Sequence, residues 1–379
     1  MHEIFERVID NEFPGAFVNI ITDPNRYSQV ITQHQDGDGS KFVQRLLHYM
    51  KTSDRAIFNG MVDDALSMNT GDIAACGFVD GTYLITDVLN LNLPKEIKEI
   101  VMRAVGLRMS ELKELYQKHG ITIKFLGGET ADLRDQVRSG VFDLTVTAWA
   151  DRANIISGNV QDGDLIFGIP SDGQASWETE LNSGIMSNGL TLGRSCLLSR
   201  DYNFLYPQLK RDDVYYKGRY EYDARPKILG GITVSEALLS PTRQWALVIK
   251  ELVSSLRENN AIHMLHGISM NTGGGATKIK NIGKGGIIYT KLMPTPPPIF
   301  KLIKSESSET WENMFTSFNC GIGIDIVGED NPVFVRALDS IKNKCGLPVI
   351  HLGSCIYSNN LNTKNSVQLI TSHGSFNYE

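Results

Sequence analysis

The chain has 379 residues, of which 41% are hydrophobic, 21% charged and 8% aromatic, and its formal net charge is −6. This composition is that of a globular protein and excludes a chain that is disordered over most of its length. The acidic balance argues against nucleic acid as the main partner, and at about 150 residues per domain the length predicts two domains.

Neither a membrane span nor a secretory leader is predicted. The longest apolar runs, such as 246–249, are far shorter than the roughly 18 residues that cross a bilayer. The first residues contain no basic region followed by an apolar stretch. The 5 cysteines are widely spaced and form no C-x-x-C pair, which favours reduced thiols over a disulfide framework or a zinc site. We therefore expect a cytoplasmic protein with no membrane partner.

Apolar periodicity predicts strands and helices that alternate along the chain. In the first half the predicted strands are 28–33, 73–79, 83–89, 121–126 and 141–150, and the predicted helices are 40–50, 55–68 and 94–118. A polar turn at 161–164 precedes an apolar strand at 165–170, which places the domain boundary between 1–163 and 164–379. In the second half, helices are predicted from Ser187, after Pro241 and at 332–345, and strands at 349–353 and leading into Gly273. The expected class is α/β, or mixed α+β, in two domains.

Acidic residues stand beside glycines at several predicted strand ends. Asp36 lies in a glycine turn with Lys41 close behind, Asp63 and Asp64 are adjacent on a helix, and Glu129 follows a glycine pair. Carboxylates from separate elements suit Mg²⁺, and glycines let backbone N–H groups approach phosphate oxygens closely. The alternative interpretation is that the glycine turns are surface turns and that Asp63 and Asp64 occupy a solvated helix face.

Eight segments, taken in chain order, resemble the motifs of aminoimidazole ribonucleotide synthetase, also called phosphoribosylformylglycinamidine cyclo-ligase. They are D-G-D-G-S-K at 36–41, M-V-D-D-A-L at 61–66, G-G-E-T-A-D at 127–132, G-I-P-S-D-G at 168–173, S-N-G-L at 187–190, L-S-P-T-R at 239–243, T-G-G-G at 272–275 and F-N-C-G-I-G at 318–323. The glutamate-containing segment and the last segment are the most discriminating. An insertion at 174–184 is similar to one in a divergent bacterial branch of that family.

The resemblance implies a two-domain fold and an ATP-dependent ring closure. The N-terminal domain would pair with a second copy through a dimeric β-barrel, and the C-terminal domain would be α/β, so we expect a homodimer. ATP would activate the formyl amide oxygen of formylglycinamidine ribonucleotide, and the amidine nitrogen would then close the imidazole ring. ADP and phosphate would be released, in the fifth step of purine synthesis.

The resemblance also implies roles for individual residues. The candidate Mg²⁺ ligands are Asp36, Asp64 and Glu129. The candidate ATP and phosphate contacts are Gly37, Gly39, Lys41, Asp87, Gly127, Gly128 and Thr130. The candidate substrate or phosphate loops of the second domain contain Ser187, Asn188, Gly189, Arg243, Thr272, Gly273 and Gly274. Arg243 could equally be a structural cap. A substitution of Asp64 is expected to abolish Mg²⁺-dependent turnover while costing little packing.

The chain departs from the family pattern at two positions where histidine is usual. Met186 precedes the S-N-G loop and Met270 precedes T-G-G-G, and methionine neither carries a proton nor donates a strong hydrogen bond. His266 could substitute for one of them, but a histidine in an apolar strand is more often structural, and His34 is expected to be a solvated loop residue. Asp38 could bind a second cation or point away.

Two alternatives to a cyclo-ligase remain open at this point. One is a small-molecule kinase of the same superfamily, similar to thiamine-phosphate kinase. The other is a paralogue that binds nucleotide without catalysis, which the two methionines would explain. The residues that close the ring by acid or base chemistry are not identified by the sequence.

Overall fold

The computed structural model describes residues 8–205, 215–358 and 363–379. Its first half is built on a five-stranded sheet in the order β1-β2-β5-β3-β4. The strands are β1 (Ile21–Asp23), β2 (Arg26–Gly37), β3 (Gly81–Leu91), β4 (Ile121–Asp132) and β5 (Gly140–Asp151). Only β3 and β4 run parallel. The α-helices in the described part of this half are α1 (Lys41–Thr52), α2 (Asn59–Ala74) and α3 (Lys95–Lys118).

The five-stranded sheet buries one face because its central strand alternates in polarity. In β5, Phe142, Leu144, Val146 and Ala148 are buried, whereas the residues between them are partly exposed. Successive strand residues point to opposite faces, so these four side chains meet the helices together. Helix α2 packs on this face and is buried from Gly60 to Ala74.

The second half is built on a seven-stranded sheet in the order β14-β13-β10-β12-β6-β11-β9. Its strands are β6 (Leu165–Pro170), β9 (Leu265–Met270), β10 (Ile287–Leu292), β11 (Ile322–Gly328), β12 (Ile350–Tyr357), β13 (Ser366–Thr371) and β14 (Gly374–Tyr378). A separate small ribbon pairs β7 (Asp172–Gly173) with β8 (Asn182–Ser183). The helices are α4 (Leu190–Leu197), α5 (Tyr202–Leu205), α6 (Val234–Leu239), α7 (Trp245–Glu258), α8 (Pro298–Glu306), α9 (Trp311–Ser317) and α10 (Pro332–Ala337).

The two halves meet where α2 packs against α7. Gly71 of α2 makes this approach possible, because a Cβ at that position would lie 2.7 Å from the Met270 methyl group and 3.3 Å from the Trp245 Cβ. Met270 and Trp245 are fully buried in this contact. The core is therefore continuous from one half to the other.

The mixed α/β class is confirmed, but some predicted elements are wrong and some observed elements were not predicted. The segment predicted as a strand at 73–79 is the end of α2 followed by a turn. A helix that is buried on all sides lacks the amphipathic period that separates helix from strand. The elements that were not predicted are strands β1, β7, β8, β10, β11, β13 and β14 and helices α5, α6, α8 and α9. The helix predicted at 332–345 is α10 followed by a π-helical turn, Ile341–Cys345.

The predicted boundary at residue 163 falls between the two sheets, since β5 ends at Asp151 and β6 begins at Leu165. The five-stranded sheet is open in the single chain, and the dimeric barrel stays a prediction. No helix in the described ranges is long and apolar enough to cross a membrane. All five cysteines are free and buried.

Candidate active site

Two glycine-containing loops, one from each half, meet at the junction of the halves. A Cβ at Gly39, whose φ is +58°, would lie 3.8 Å from the Ser187 carbonyl oxygen. Next to this contact, the Thr191 hydroxyl donates to the Ser40 hydroxyl at 3.3 Å. The structure thus brings the D-G-D-G-S-K segment and the S-N-G loop together, although they are about 150 residues apart in sequence.

Two further motifs of the second half join the same junction. The Ser187 hydroxyl lies 3.0 Å from the Thr242 hydroxyl, and a Cβ at Gly273 would lie 3.8 Å from the Asn188 Oδ1. Gly189, Thr272 and Gly274 belong to these same loops, and Gly189 packs closely on the Phe318 ring. The candidate phosphate loops of the second half therefore form one cluster that faces the first half.

Asp64 lies at the centre of a buried network that ties the halves together. Its Oδ1 accepts hydrogen bonds from the Lys41 ammonium at 3.0 Å, the Thr242 N–H at 2.7 Å and the Thr242 hydroxyl at 2.6 Å. Its Oδ2 accepts a hydrogen bond from the Arg45 guanidinium. The side chains of Asp64, Lys41 and Arg45 are at most 1% exposed. Both Asp64 oxygens are thus already occupied by protein donors.

This network corrects two expectations. Asp64 is not a surface-like acid, so its removal would leave Lys41 and Arg45 as uncompensated buried charges. Lys41 donates to Asp64 and, at 2.6 Å, to the Ser240 carbonyl. Burial lowers the pKa of Lys41 to about 8, against the opposing effect of Asp64. The neighbouring Asp63 is also buried, where it accepts two hydrogen bonds from Arg108 at 2.8 and 2.9 Å, so the solvated helix face is excluded.

A second set of acids has no basic partner among the residues that the structure describes. In the sheet register Leu144 pairs with Asp36 on one side and with Asp87 on the other, which places both acids on one face, about 10 Å apart at their α-carbons. Asp36 is half-buried and accepts only the Gly37 N–H, at 2.7 Å. Burial raises the pKa of Asp87, and burial followed by the charge of Asp36 raises that of Asp143.

Strand β4 brings the glutamate-containing segment to the same edge. Gly128 pairs with Asp87, and a Cβ there would lie 1.8 Å from the Asp87 carbonyl oxygen, so only glycine permits this approach. Gly127, with φ of +78°, introduces the shift in register between the two strands. Glu129 and Thr130 follow on the exposed side of β4.

The three predicted metal ligands do not form a preassembled cluster. Within the described ranges no group of three or more His, Cys, Asp or Glu side chains is arranged to hold a metal ion. Asp64 is engaged by Lys41, Arg45 and Thr242, whereas Asp36 and Asp87 have carboxylates without a cationic partner. Mg²⁺ binds few protein carboxylates and completes its shell with water and phosphate. The chemistry of Asp36 and Asp87 therefore fits the ion, with the triphosphate supplying the remaining ligands.

Asp38 and Asp72 are buried acids beside this edge. Neither Asp38 oxygen has a hydrogen-bond partner, and burial holds its pKa well above the usual range even though the Arg45 Nε lies 3.7 Å away. Burial raises the pKa of Asp72 to about 7, partly offset by His34 at 3.4 Å. His34 lies in β2, where its Nδ1 is 3.0 Å from the Asn69 Oδ1. The expectation that His34 is a solvated loop residue is therefore wrong.

The two methionines at usual histidine positions are packing residues. Met270 fills the space over Gly71, and Met186 is 2% exposed with a φ of +55°. Neither is placed to exchange protons with a ligand. His266 is structural, as predicted, because its Nδ1 lies 2.7 Å from Asp164 at the far end of β9.

Arg243 holds the insertion at 174–184 and is not free to bind phosphate. Its guanidinium makes two hydrogen bonds to the Glu178 carboxylate, at 2.9 and 3.0 Å, and one to the Pro170 carbonyl at 2.7 Å. The Arg243 side chain is fully buried. Trp177 of the insertion contacts the His119 ring, with centroids 5.3 Å apart. The structure favours the structural role of Arg243.

Sequence reasoning missed Arg45, Asp72 and Asp143. Arg45 follows Lys41 by one helical turn, and this i, i+4 spacing of two basic residues is the one signal that predicts a shared face. Asp143 lies opposite Gly37 in the register, which becomes visible only once the strands are paired. Asp72 carries no local signal.

The curated proteins that are similar to this chain in sequence, as reported below, share one name. No protein-family profile matches the chain. Phosphoribosylformylglycinamidine cyclo-ligase from Methanocaldococcus jannaschii is 28% identical over 328 residues, which are 86% of this chain and 78% of that protein. Proteins of the same name from methanococci and Limosilactobacillus reuteri are 27–29% identical over most of the chain.

Solved structures show the same fold at low identity. Phosphoribosylformylglycinamidine synthase II from Thermotoga maritima superposes with a TM-score of 0.55 at 10% identity, over 99% of this chain and 47% of that one. The present chain thus spans about half the length of that synthase. The hydrogenase maturation protein HypE, solved in complex with ATP, gives a TM-score of 0.53 at 14% identity, over 100% of this chain and 93% of that one. The chain has the aminoimidazole ribonucleotide synthetase-like fold and is a divergent relative of the phosphoribosylformylglycinamidine cyclo-ligases.

Proposed function

We propose that the protein is an ATP-dependent phosphoribosylformylglycinamidine cyclo-ligase of purine biosynthesis. The observation that carries the proposal is the junction of the halves, where the D-G-D-G-S-K, S-N-G, L-S-P-T-R and T-G-G-G segments meet through named contacts. These are the segments by which the chain resembles the cyclo-ligases, and the relatives that bear this name are similar over most of its length.

The reaction requires a good leaving group where the substrate has an amide oxygen. Transfer of the ATP γ-phosphoryl group to the formyl amide oxygen supplies that leaving group and releases ADP. The amidine nitrogen then attacks the former carbonyl carbon, the C–O bond breaks, and phosphate leaves. Phosphoryl transfer of this kind depends mainly on positioning and on neutralisation of charge.

The chain would hold the triphosphate between the two halves. Backbone N–H groups around Gly37, Gly39, Gly127 and Gly128 lie at the edge that carries Asp36 and Asp87. Ser187, Asn188 and Gly273 face them from the second half. Mg²⁺ held by Asp36 and Asp87, with Glu129 nearby, would neutralise phosphate charge during transfer.

The buried network around Asp64 would keep these loops in register. Lys41 and Thr242 come from the loops themselves, and both donate to the Asp64 Oδ1. Because the three side chains are buried and pair with one another, the network would fix the distance between the loops. We therefore assign Asp64, Lys41 and Arg45 as positioning residues and not as catalytic residues.

The test is product formation from formylglycinamidine ribonucleotide, ATP and MgCl₂ by the folded full-length chain. We expect aminoimidazole ribonucleotide, ADP and phosphate in equal amounts, with no product when the magnesium is chelated. Asp201→Asn serves as a control, because Asp201 is exposed on the surface. Absence of product from well-folded protein that still binds ATP would reject the cyclo-ligase. ATP turnover with a different acceptor would instead favour a kinase on the same fold.

A further inference from the structure

Arg194 is a buried cation without an acidic partner. It lies in α4, one turn after the S-N-G loop, and is 4% exposed. Its Nη1 makes no hydrogen bond, and no Asp or Glu in the described ranges forms an ion pair with it. By contrast, the buried side chains of Lys41, Arg243 and Lys291 each have a carboxylate partner. A guanidinium kept out of water without a counter-charge is costly, so Arg194 is suited to pair with a bound anion.

The surroundings of Arg194 form a seam between α1 and α4. The seam begins at the contact between the hydroxyls of Ser40 and Thr191. Arg194 follows Thr191 by three residues and Gln44 follows Ser40 by four, which are the spacings that keep side chains on one helix face. Gln44 is fully buried, and neither its amide oxygen nor its amide nitrogen has a partner.

Two tyrosines close the seam from the segment that follows α5. The Tyr222 hydroxyl donates to the backbone carbonyl of Gln44 at 3.3 Å, and the Tyr216 hydroxyl is buried without a partner in the described ranges. Burial raises the pKa of Tyr216, and the charge of Arg194 opposes that effect. Burial likewise raises the pKa of Tyr222 well above its usual range, and the charge of Arg194 opposes part of that increase. The Lys217 N–H donates to the Ser195 carbonyl at 2.7 Å, so the residues just before these two, Tyr216 and Arg194, lie on adjacent segments.

We propose that this seam binds the phosphate monoester of the nucleotide substrate, with Arg194, Gln44 and Tyr216 as its donors. A guanidinium fork, an amide N–H and a phenol O–H together match the three terminal oxygens of a phosphate monoester. The proposal rests on the cyclo-ligase function for the identity of the substrate. The triphosphate is already assigned to the loops and to Asp36, whereas formylglycinamidine ribonucleotide carries one phosphate, remote from its reacting amidine. The seam lies about one helical turn, roughly 5 Å, from those loops.

The experiment measures binding of ribose 5-phosphate to the full-length chain by calorimetry, with ribose and ATP as parallel probes. We expect wild-type protein to bind ribose 5-phosphate and not ribose. Arg194→Gln should weaken ribose 5-phosphate binding about tenfold or more, because it removes a charge-assisted pair of hydrogen bonds. ATP affinity should stay within about twofold. Arg103→Gln is the matched control, since Arg103 is exposed on α3.

Tyr216→Phe keeps the proposal testable if Arg194→Gln does not fold. It removes only one hydroxyl, for which the described residues provide no partner, and we expect about a fivefold loss of ribose 5-phosphate affinity with unchanged thermal stability. The proposal would be overturned if wild-type protein does not bind ribose 5-phosphate, or if the variants bind it with wild-type affinity. Loss of ATP affinity alone would also overturn it, because the seam would then hold a phosphate of ATP. Binding is measured without turnover, so failure of the cyclo-ligase assay is a separate result.

Discussion

The junction of the halves contains two groups of acids that a sequence cannot tell apart. Asp64 is surrounded by protein donors, with Lys41, Arg45 and Thr242 occupying both of its oxygens. Asp36 and Asp87 lie on the adjacent sheet edge and have no cationic partner in the described part of the chain. Asp36 stands in a glycine turn and Asp64 in an acidic pair, so the sequence suggests metal binding for both, whereas it suggests only a nucleotide contact for Asp87.

The two groups of acids differ in the source of the positive charge that neutralises their carboxylates. A buried carboxylate whose lone pairs are filled by protein is a structural element, and removing it is expensive. A carboxylate that the protein leaves without a counter-charge is available to an outside cation. The inventory of donors around each acid therefore separates the residues that hold the halves together from the residues that can hold Mg²⁺ and ATP.

The largest effect is expected from Asp64→Ala. The substitution leaves two buried cations without their carboxylate, so the free energy of unfolding should fall by about 3–5 kcal/mol. Urea denaturation measures this. A double-mutant cycle with Arg45→Met should recover part of the loss, because one uncompensated charge is then removed. A loss below about 1 kcal/mol would show that the network contributes little to stability and that Asp64 is not a structural residue.

Asp36→Asn should give the opposite pattern. We expect kcat to fall about 100-fold, as is typical when a group that neutralises transition-state charge is removed. Stability should change by less than about 1 kcal/mol, since the side chain has no basic partner to lose. Steady-state kinetics across a range of MgCl₂ concentrations is the measurement. Near-normal kcat at saturating MgCl₂ would remove Asp36 from the metal site.

The sequence predicted the motifs that meet at the junction but not how their acids are partnered. Lys41 and Asp64 are 23 residues apart, and Thr242 is 178 residues from Asp64, so no local pattern reveals that they touch. The same applies to the fold. Long amphipathic elements such as α3 were predicted almost to the residue, whereas α2 was cut short because its buried faces show no period. Strands β13 and β14 were missed since their pairing, and not their composition, defines them.

Asp72 should make the free energy of unfolding depend on pH, with an effect of intermediate size. Its pKa of about 7 lies above the ordinary value of 3.8, so its contribution to stability is fully present below pH 4 and is lost as pH rises through 7. The groups that act on it are His34, Asp36 and Lys278. Over this range wild-type stability should fall by up to about 1.4 kcal/mol for each pH unit. Asp72→Asn should flatten that decline in urea denaturation at pH 5, 6 and 7, and an unchanged slope would contradict the assignment.

The smallest effect is expected from Met270→Leu. Because Met270 is fully buried and packs on Gly71, a swap of similar volume should cost less than about 1.5 kcal/mol. Its kcat/KM should stay within about twofold of wild type. A large loss of activity with normal stability would instead give Met270 a direct role at the site.

The most direct test of whether Asp36 and Asp87 hold Mg²⁺, while Asp64 is structural, is a measurement of ATP affinity. It is made with and without MgCl₂ for wild type, Asp36→Asn and Asp87→Asn. If these two carboxylates hold Mg²⁺ with the triphosphate, MgCl₂ should tighten ATP binding by wild type about tenfold or more and should have little effect on either variant. Equal enhancement in all three proteins, or none in wild type, would contradict the account.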